Sequence, residues 1–151
     1  MLRSTLLAVV ACASAAMAKL EPDGINCDGS SNTQFFNVKI DKKFGQSPNN
    51  QVPALASIIG GIDDNRLYKN GEHIACLKGT IFFVPGSICA FLQSTSGGML
   101  GRDIKTIASE LGKECGACGS IATGFFGGDK DVNHGMLTMN FVSGGKCSGV
   151  C

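Results

Sequence analysis

The chain has 151 residues, 13 basic and 12 acidic side chains, and eight cysteines. Its formal net charge of +1 argues against nucleic-acid binding, because counterion release needs a concentrated basic surface. A chain of this length buries one modest core, so we expect a single domain.

The first 18 residues are typical of a secretory signal peptide. Arg3 precedes an apolar run over residues 6–13, and Ala16 and Ala18 form an A-x-A cleavage site. The run is too short to span a bilayer. We therefore expect cleavage after Ala18 and secretion of residues 19–151 as one extracellular domain, in which basic and acidic residues balance.

Residues 35–41 alternate apolar and polar side chains, a pattern that predicts a half-buried strand. Lys39, Lys42 and Lys43 are the one local enrichment of basic residues, and a solvated strand end explains them better than a nucleic-acid site.

Two amphipathic stretches predict helices. Apolar residues at helical spacing indicate a helix over 53–64, with Pro53 in its first turn. The stretch "LGRDIKTIASELGK", residues 100–113, predicts a second helix whose apolar stripe comprises Ile104, Ile107, Ala108 and Leu111.

Short β-like runs surround the second helix. Runs at 73–77, 80–84 and 87–93 are separated by turn residues and predict an antiparallel meander, and residues 136–142 predict a final strand. The expected fold class is α+β, a disulfide-stapled sandwich in which two helices cover one face of an antiparallel sheet.

Seven cysteines remain after cleavage: Cys27, Cys76, Cys89, Cys115, Cys118, Cys147 and Cys151. In an oxidising compartment this odd number allows at most three intramolecular bridges. We expect a monomer, with a dimer through the odd cysteine as the alternative.

Cys115 and Cys118 form a C-x-x-C pair, which suits a redox dithiol, half of a zinc site or two structural disulfides. A redox dithiol sits at the beginning of a helix, where the macrodipole stabilises the thiolate, but Cys115 follows the second helix. Zinc would need two further ligands, and Cys147 with Cys151 is a loose match. Thiol oxidoreductase and zinc protein therefore stay minor alternatives.

The remaining polar residues carry no enzyme motif. Paired carboxylates in turn-like surroundings are better explained by loop solvation or helix termination: Asp63, Asp64, Asp129 and Asp131. His73 and His134 stand alone, without ligand spacing. We expect no catalytic residue, no metal and no cofactor.

Six stretches follow one another in a specific order between Gly24 and Cys151: "GINCDGSS", "YKNGEHIAC", "GSICAFLQST", "CGACGS", "HGMLTMNFVS" and "CSGVC". Their order and spacing resemble the KP-four killer toxin family of secreted fungal proteins. The resemblance implies an antiparallel sheet with two helices on one face. It also implies non-enzymatic inhibition of target cells by interference with calcium uptake, with a cell-surface protein such as a calcium channel as partner.

The resemblance also implies disulfide pairings. Carried over by motif, Cys27 would pair with Cys115. Cys76 would pair with one of the two cysteines of the stretch "CSGVC", of which Cys147 is the better match.

One departure concerns Cys118. The family often has a further cysteine where Thr33 stands here, expected to pair with the position of Cys118. Cys118 is therefore the leading candidate for the unpaired thiol, unless it takes Cys89 or Cys151.

A second departure concerns charge. The family presents basic side chains near the "IAC" strand, whereas Ile74 and Ala75 precede Cys76 here and Lys69 and Lys78 lie further out. We expect Ile74 to pack in the core or in the meander. The candidate target-contact residues are Lys39, Lys42, Lys43, Lys69 and Lys78. The departure favours a second hypothesis, a secreted virulence effector or binding protein without channel block.

Overall fold

The computed structural model describes residues 23–28, 36–37, 50–81, 84–145 and 147–151. Within these residues the elements are, in chain order, β1 (Ile25–Asn26), β2 (Phe36–Asn37), α1 (Gln51–Ile59), β3 (Leu67–Tyr68), β4 (His73–Ile81), β5 (Val84–Gln93), β6 (Met99–Leu100), α2 (Gly101–Glu114), β7 (Gly119–Ala122), β8 (Met136–Val142) and β9 (Gly149–Val150). Two 3-10 turns, Phe125–Gly127 and Val132–His134, lie between β7 and β8.

One seven-stranded antiparallel sheet organises the molecule. Its strand order is β1-β7-β8-β5-β4-β2, and β9 pairs with β4 beside this path. Strands β3 and β6 form a separate two-stranded pair. The α+β class with an antiparallel sheet and two helices is thus confirmed.

The core lies between the sheet and the two helices. Alternate positions of neighbouring strands, such as Ala90 and Leu92 in β5 with Leu137 and Met139 in β8, join the same buried cluster as the helix stripes. Because side chains alternate across a strand, Cys76 and Cys89 point to the opposite face. The sheet therefore has a helix-covered face and a second face that carries a disulfide.

Helix α1 differs from its predicted bounds of 53–64. It begins at Gln51, where Val52 N donates to Gly116 O over 2.9 Å, and ends at Ile59. Two successive glycines, Gly60 and Gly61, follow it, and their low helix propensity explains the earlier end.

Helix α2 confirms the prediction from its apolar stripe. Ile104, Ile107, Ala108 and Leu111 are all buried, and they pack α2 against α1 and the sheet. Ile74 is also fully buried, as expected.

The three runs predicted between 73 and 93 are two strands. Gly79 lies opposite Gly86 in the β4–β5 ladder, so Lys78-Gly79 is not a turn and Thr80 continues β4. Pro85 is accommodated because the pairing of β5 with β8 begins only at Ser87.

Two predictions reach beyond the described residues. The signal peptide lies outside them and stays a prediction. Of the strand expected at 35–41, only Phe36–Asn37 is described, and it pairs with the end of β4. No helix among the described residues has the length and apolarity to cross a membrane.

Candidate functional sites

Most cationic side chains of the described residues are engaged with neighbours. Arg66 pairs with Glu72, Lys105 with Asp64 and Lys113 with Glu110, and Arg102 Nε lies 3.7 Å from Asp103 Oδ1. The Lys130 ammonium stands 3.3 Å from the centroid of the Phe125 ring and donates to the Phe125 carbonyl over 2.7 Å.

Lys69 and Lys78 are the exception among the described cations. Both are exposed, and neither ammonium forms an ion pair with a described carboxylate. Lys69 lies in the turn before β4, which begins at His73. Lys78 is five residues further along β4, and five residues of strand span about 17 Å. They are two separate charges. Lys39, Lys42 and Lys43 lie outside the described residues.

A groove of about 330 Å³ opens between α2 and the first 3-10 turn. Its lining residues are Met99, Asp103, Thr106, Ile107, Thr123, Phe126 and Gly127. Phe126 is 60% exposed and meets Phe125 edge to face, with ring centroids 5.3 Å apart. We call this feature the Phe126 groove. Residue patterns did not predict it, because its walls come from segments about 20 residues apart that only the fold brings together.

His134 contacts two nearby carboxylates. Its Nδ1 lies 2.9 Å from Asp129 Oδ2, and its Nε2 lies 3.8 Å from Asp131 Oδ2. The hydrogen bond to Asp129 and the two carboxylate charges raise the pKa of His134, and the same hydrogen bond lowers the pKa of Asp129.

The carboxylates near turns have structural roles. Asp131 caps the second 3-10 turn by accepting from Asn133 N, and this hydrogen bond lowers its pKa. Asp63 accepts from Asn65 N, and Asp64 binds Lys105. These contacts are those expected of loop solvation and helix termination.

The Cys27–Cys115 disulfide joins β1 to the end of α2 across 88 residues of sequence, as the resemblance implied. Cys115 is thus not bonded to Cys118, the other cysteine of the C-x-x-C stretch. Gly119 makes the close packing possible, because a Cβ there would lie 2.7 Å from Cys115 Sγ.

The expectation of an unpaired thiol at Cys118 concerns residues 19–151 after removal of Cys12, and it stays a prediction. The described residues contain no free cysteine, and Cys118 is itself disulfide-bonded. The odd number of cysteines, seven, refers to residues 19–151. The structure is that of the full chain, which has eight cysteines. Cys118 is 1% exposed, and its Sγ lies 3.6 Å from Cys27 O.

The other cysteines pair differently from the expectation for Cys76 and Cys147. Cys76 is bonded to Cys89, directly opposite it in the β4–β5 ladder with a Cα–Cα distance of 4.1 Å, and Cys147 is bonded to Cys151. Register explains the difference, since the hairpin holds Cys76 and Cys89 face to face.

These two disulfides form what we call the four-sulfur cluster: Cys76, Cys89, Cys147 and Cys151. Cys151 Sγ lies 3.9 Å from Cys76 Sγ, and the Cys147 sulfur lies within 4.8 Å of both. A ring nitrogen of His73 also lies within 4.8 Å of the sulfurs of Cys76 and Cys89, so His73 does not stand alone.

The arrangement bears on the zinc alternative. Neither group of three or more converging metal donors in the described residues includes Cys115 or Cys118. The four-sulfur cluster does bring together four cysteine sulfurs, and zinc binds cysteine in its thiolate form. Every one of these sulfurs is engaged in a disulfide here.

Comparison with curated proteins returns no significant match. The family model described as Kp4 matches residues 6–143, which is most of the chain. The antiparallel sheet, its two helices and the Cys27–Cys115 disulfide are those that the resemblance to killer toxins implied. The protein therefore belongs to the Kp4 family.

Proposed function

We propose that the protein is a secreted, killer-toxin-like antagonist that inhibits target cells by interfering with calcium uptake. The Kp4 family match over residues 6–143 is the observation that carries the proposal. Three disulfides among the described residues and a buried core suit a protein that works outside the cell.

Lys69 and Lys78 are the described side chains best suited to contact a channel. Cation channels carry rings of Asp and Glu at their mouths, and an ammonium without an internal carboxylate partner is available to bind them. Both lysines sit in or beside β4, a strand that three partner strands and a disulfide hold in place. We expect one of them to contact an acidic ring directly.

The first experiment measures growth. Purified, oxidised protein is added to candidate fungi and plant roots with and without extra calcium. The proposal predicts slowed growth that added calcium relieves. Inhibition that calcium leaves unchanged would reject interference with calcium uptake.

The second experiment compares charge variants. Lys69→Gln and Lys78→Gln each remove an unpaired charge, and Lys113→Gln is the matched control, because it removes a charge that is already paired with Glu110. We expect at least one of the first two variants to weaken inhibition about tenfold, as loss of about 1.4 kcal/mol would. If all three variants keep full potency, these contacts are wrong.

The Phe126 groove favours a second candidate, a virulence effector or binding protein without channel block. An exposed aromatic ring beside a groove is a feature of protein-binding surfaces. On this hypothesis, deletion of the gene lowers host colonisation although the purified protein inhibits no competitor. Strong growth inhibition at low protein concentration would reject it.

A further inference from the structure

The two bridges of the four-sulfur cluster lie side by side although they join distant parts of the chain. Cys76 and Cys89 are 13 residues apart and fully buried. Cys147 and Cys151 are four residues apart, and Cys151 is exposed. A thiol in solution therefore meets the Cys147–Cys151 bridge first.

Backbone pairing holds Cys151 against Cys76. Strand β9 pairs with β4 so that Gly149 lies opposite Cys76, and Cys151 N donates to Ile74 O over 2.9 Å. Residues two apart on a strand share a face, so Cys151 and Cys76 are diagonal neighbours on one side of the sheet. The 3.9 Å between their sulfurs follows from this register.

We propose that the four-sulfur cluster is an intramolecular thiol–disulfide exchange site. Two molecules of a small thiol first reduce the Cys147–Cys151 bridge and become a disulfide themselves. Cys151 then releases its proton to solvent, and its thiolate attacks Cys76 Sγ. The Cys76–Cys151 bond forms as the Cys76–Cys89 bond breaks, and the electron pair leaves on Cys89 Sγ, which takes up a proton.

The exchange replaces a local bridge by one that fastens β9 to β4. Closing a longer loop removes more entropy from the unfolded chain, and the loop from Cys76 to Cys151 is far longer than either original loop. Loop length therefore makes the exchanged form harder to unfold, whereas the exchange step within the folded protein rests on the closeness of the Cys151 and Cys76 sulfurs. The inference concerns sulfur chemistry and does not depend on the proposed calcium-related function.

The variant Cys147→Ser tests the step without any reductant, because it leaves Cys151 as a thiol beside the intact Cys76–Cys89 bridge. The oxidised variant is incubated at about pH 6 and about pH 8, which lie below the usual thiol pKa of about 8.5. It is then quenched in acid, alkylated under denaturing conditions and mapped by mass spectrometry. We expect the label on Cys89 and a Cys76–Cys151 disulfide, formed much faster at the higher pH.

The matched control is Cys151→Ser, which leaves Cys147, a residue outside the β9 ladder. We expect its exchange to be at least tenfold slower. A label on Cys151 alone in the first variant, with Cys76–Cys89 intact at both pH values, would overturn the proposal. Equal rates in the two variants would also overturn it, since exchange would then not depend on the placement of Cys151.

The wild-type protein provides a test that does not depend on the folding of a variant. Limiting dithiol is added, and the species in which one bridge has been reduced is mapped. The proposal predicts labels on Cys89 and Cys147, whereas labels on Cys147 and Cys151 together would refute it. Retention of the Cys27–Cys115 bridge shows that reduction has not spread to that disulfide.

Discussion

Removal of the Cys27–Cys115 bridge gives the sharpest test of how the fold is held. The double variant Cys27→Ala/Cys115→Ala leaves no unpaired thiol from this bridge. Its ends are 88 residues apart, and the chain-entropy relation assigns about 4.5 kcal/mol to closing a loop of that length. Because small domains are stable by about 5–15 kcal/mol, we expect the variant to lose about 30% or more of its free energy of unfolding.

The measurement is urea unfolding followed by far-ultraviolet circular dichroism. Because the chain has no tryptophan and a single tyrosine, emission from the buried Tyr68 serves as a second probe. With a typical urea m-value of about 2 kcal/mol/M, the midpoint should fall by about 2 M.

The matched control is Cys147→Ala/Cys151→Ala, which removes a bridge between residues only four apart. The same relation assigns about 2 kcal/mol to this shorter loop. The argument depends on the order of the two losses. If the Cys27–Cys115 variant loses less than about 1 kcal/mol, or less than the control, then loop closure does not explain the stability of the fold.

Two further predictions concern single positions. In NMR titration the imidazole of His134 should titrate above its ordinary pKa of about 6.5, and Asp129→Asn should bring the midpoint back towards that value; an unchanged midpoint would contradict the ion pair. Because the folded-state pKa is raised, stabilisation from His134 is fully present below about pH 6.5 and is lost as the pH rises through the folded pKa. Gly98→Ala should destabilise by about 1–3 kcal/mol, because Gly98 has φ +81° and a Cβ there would collide with the Tyr68 carbonyl. The control Gly127→Ala meets no atom within 4 Å, and equal unfolding midpoints for the two variants would refute the reasoning.

Local pattern predicted the helical part of the fold well. The stripe of Ile104, Ile107 and Leu111 in α2 repeats at helical spacing, and burial of that stripe is what holds the helix to the sheet. The hairpin was harder to predict, because Gly79 resembles a turn residue until Gly86 is known to lie opposite it. Such pairing depends on register, which a single segment does not contain.

Disulfide partners were less accessible to sequence analysis. The Cys76–Cys89 bridge depends on the β4–β5 register, and the closeness of Cys151 depends on the separate pairing of β9 with β4. The resemblance to killer toxins implied Cys27–Cys115, which the structure contains, but the cysteine pattern alone allowed many maps. The Phe126 groove likewise had no local signal, since only the tertiary fold forms its walls.

The Cys27–Cys115 bridge also determines the outcome of a protease cut. Its ends enclose both helices and the β4–β5 hairpin, and exposed turns such as residues 69–71 lie within this loop. A single cut anywhere in residues 28–114 would leave two pieces that are still covalently joined and still share one buried core. A protease cut there would therefore convert the protein into a nicked two-chain form, which separates into fragments only after reduction.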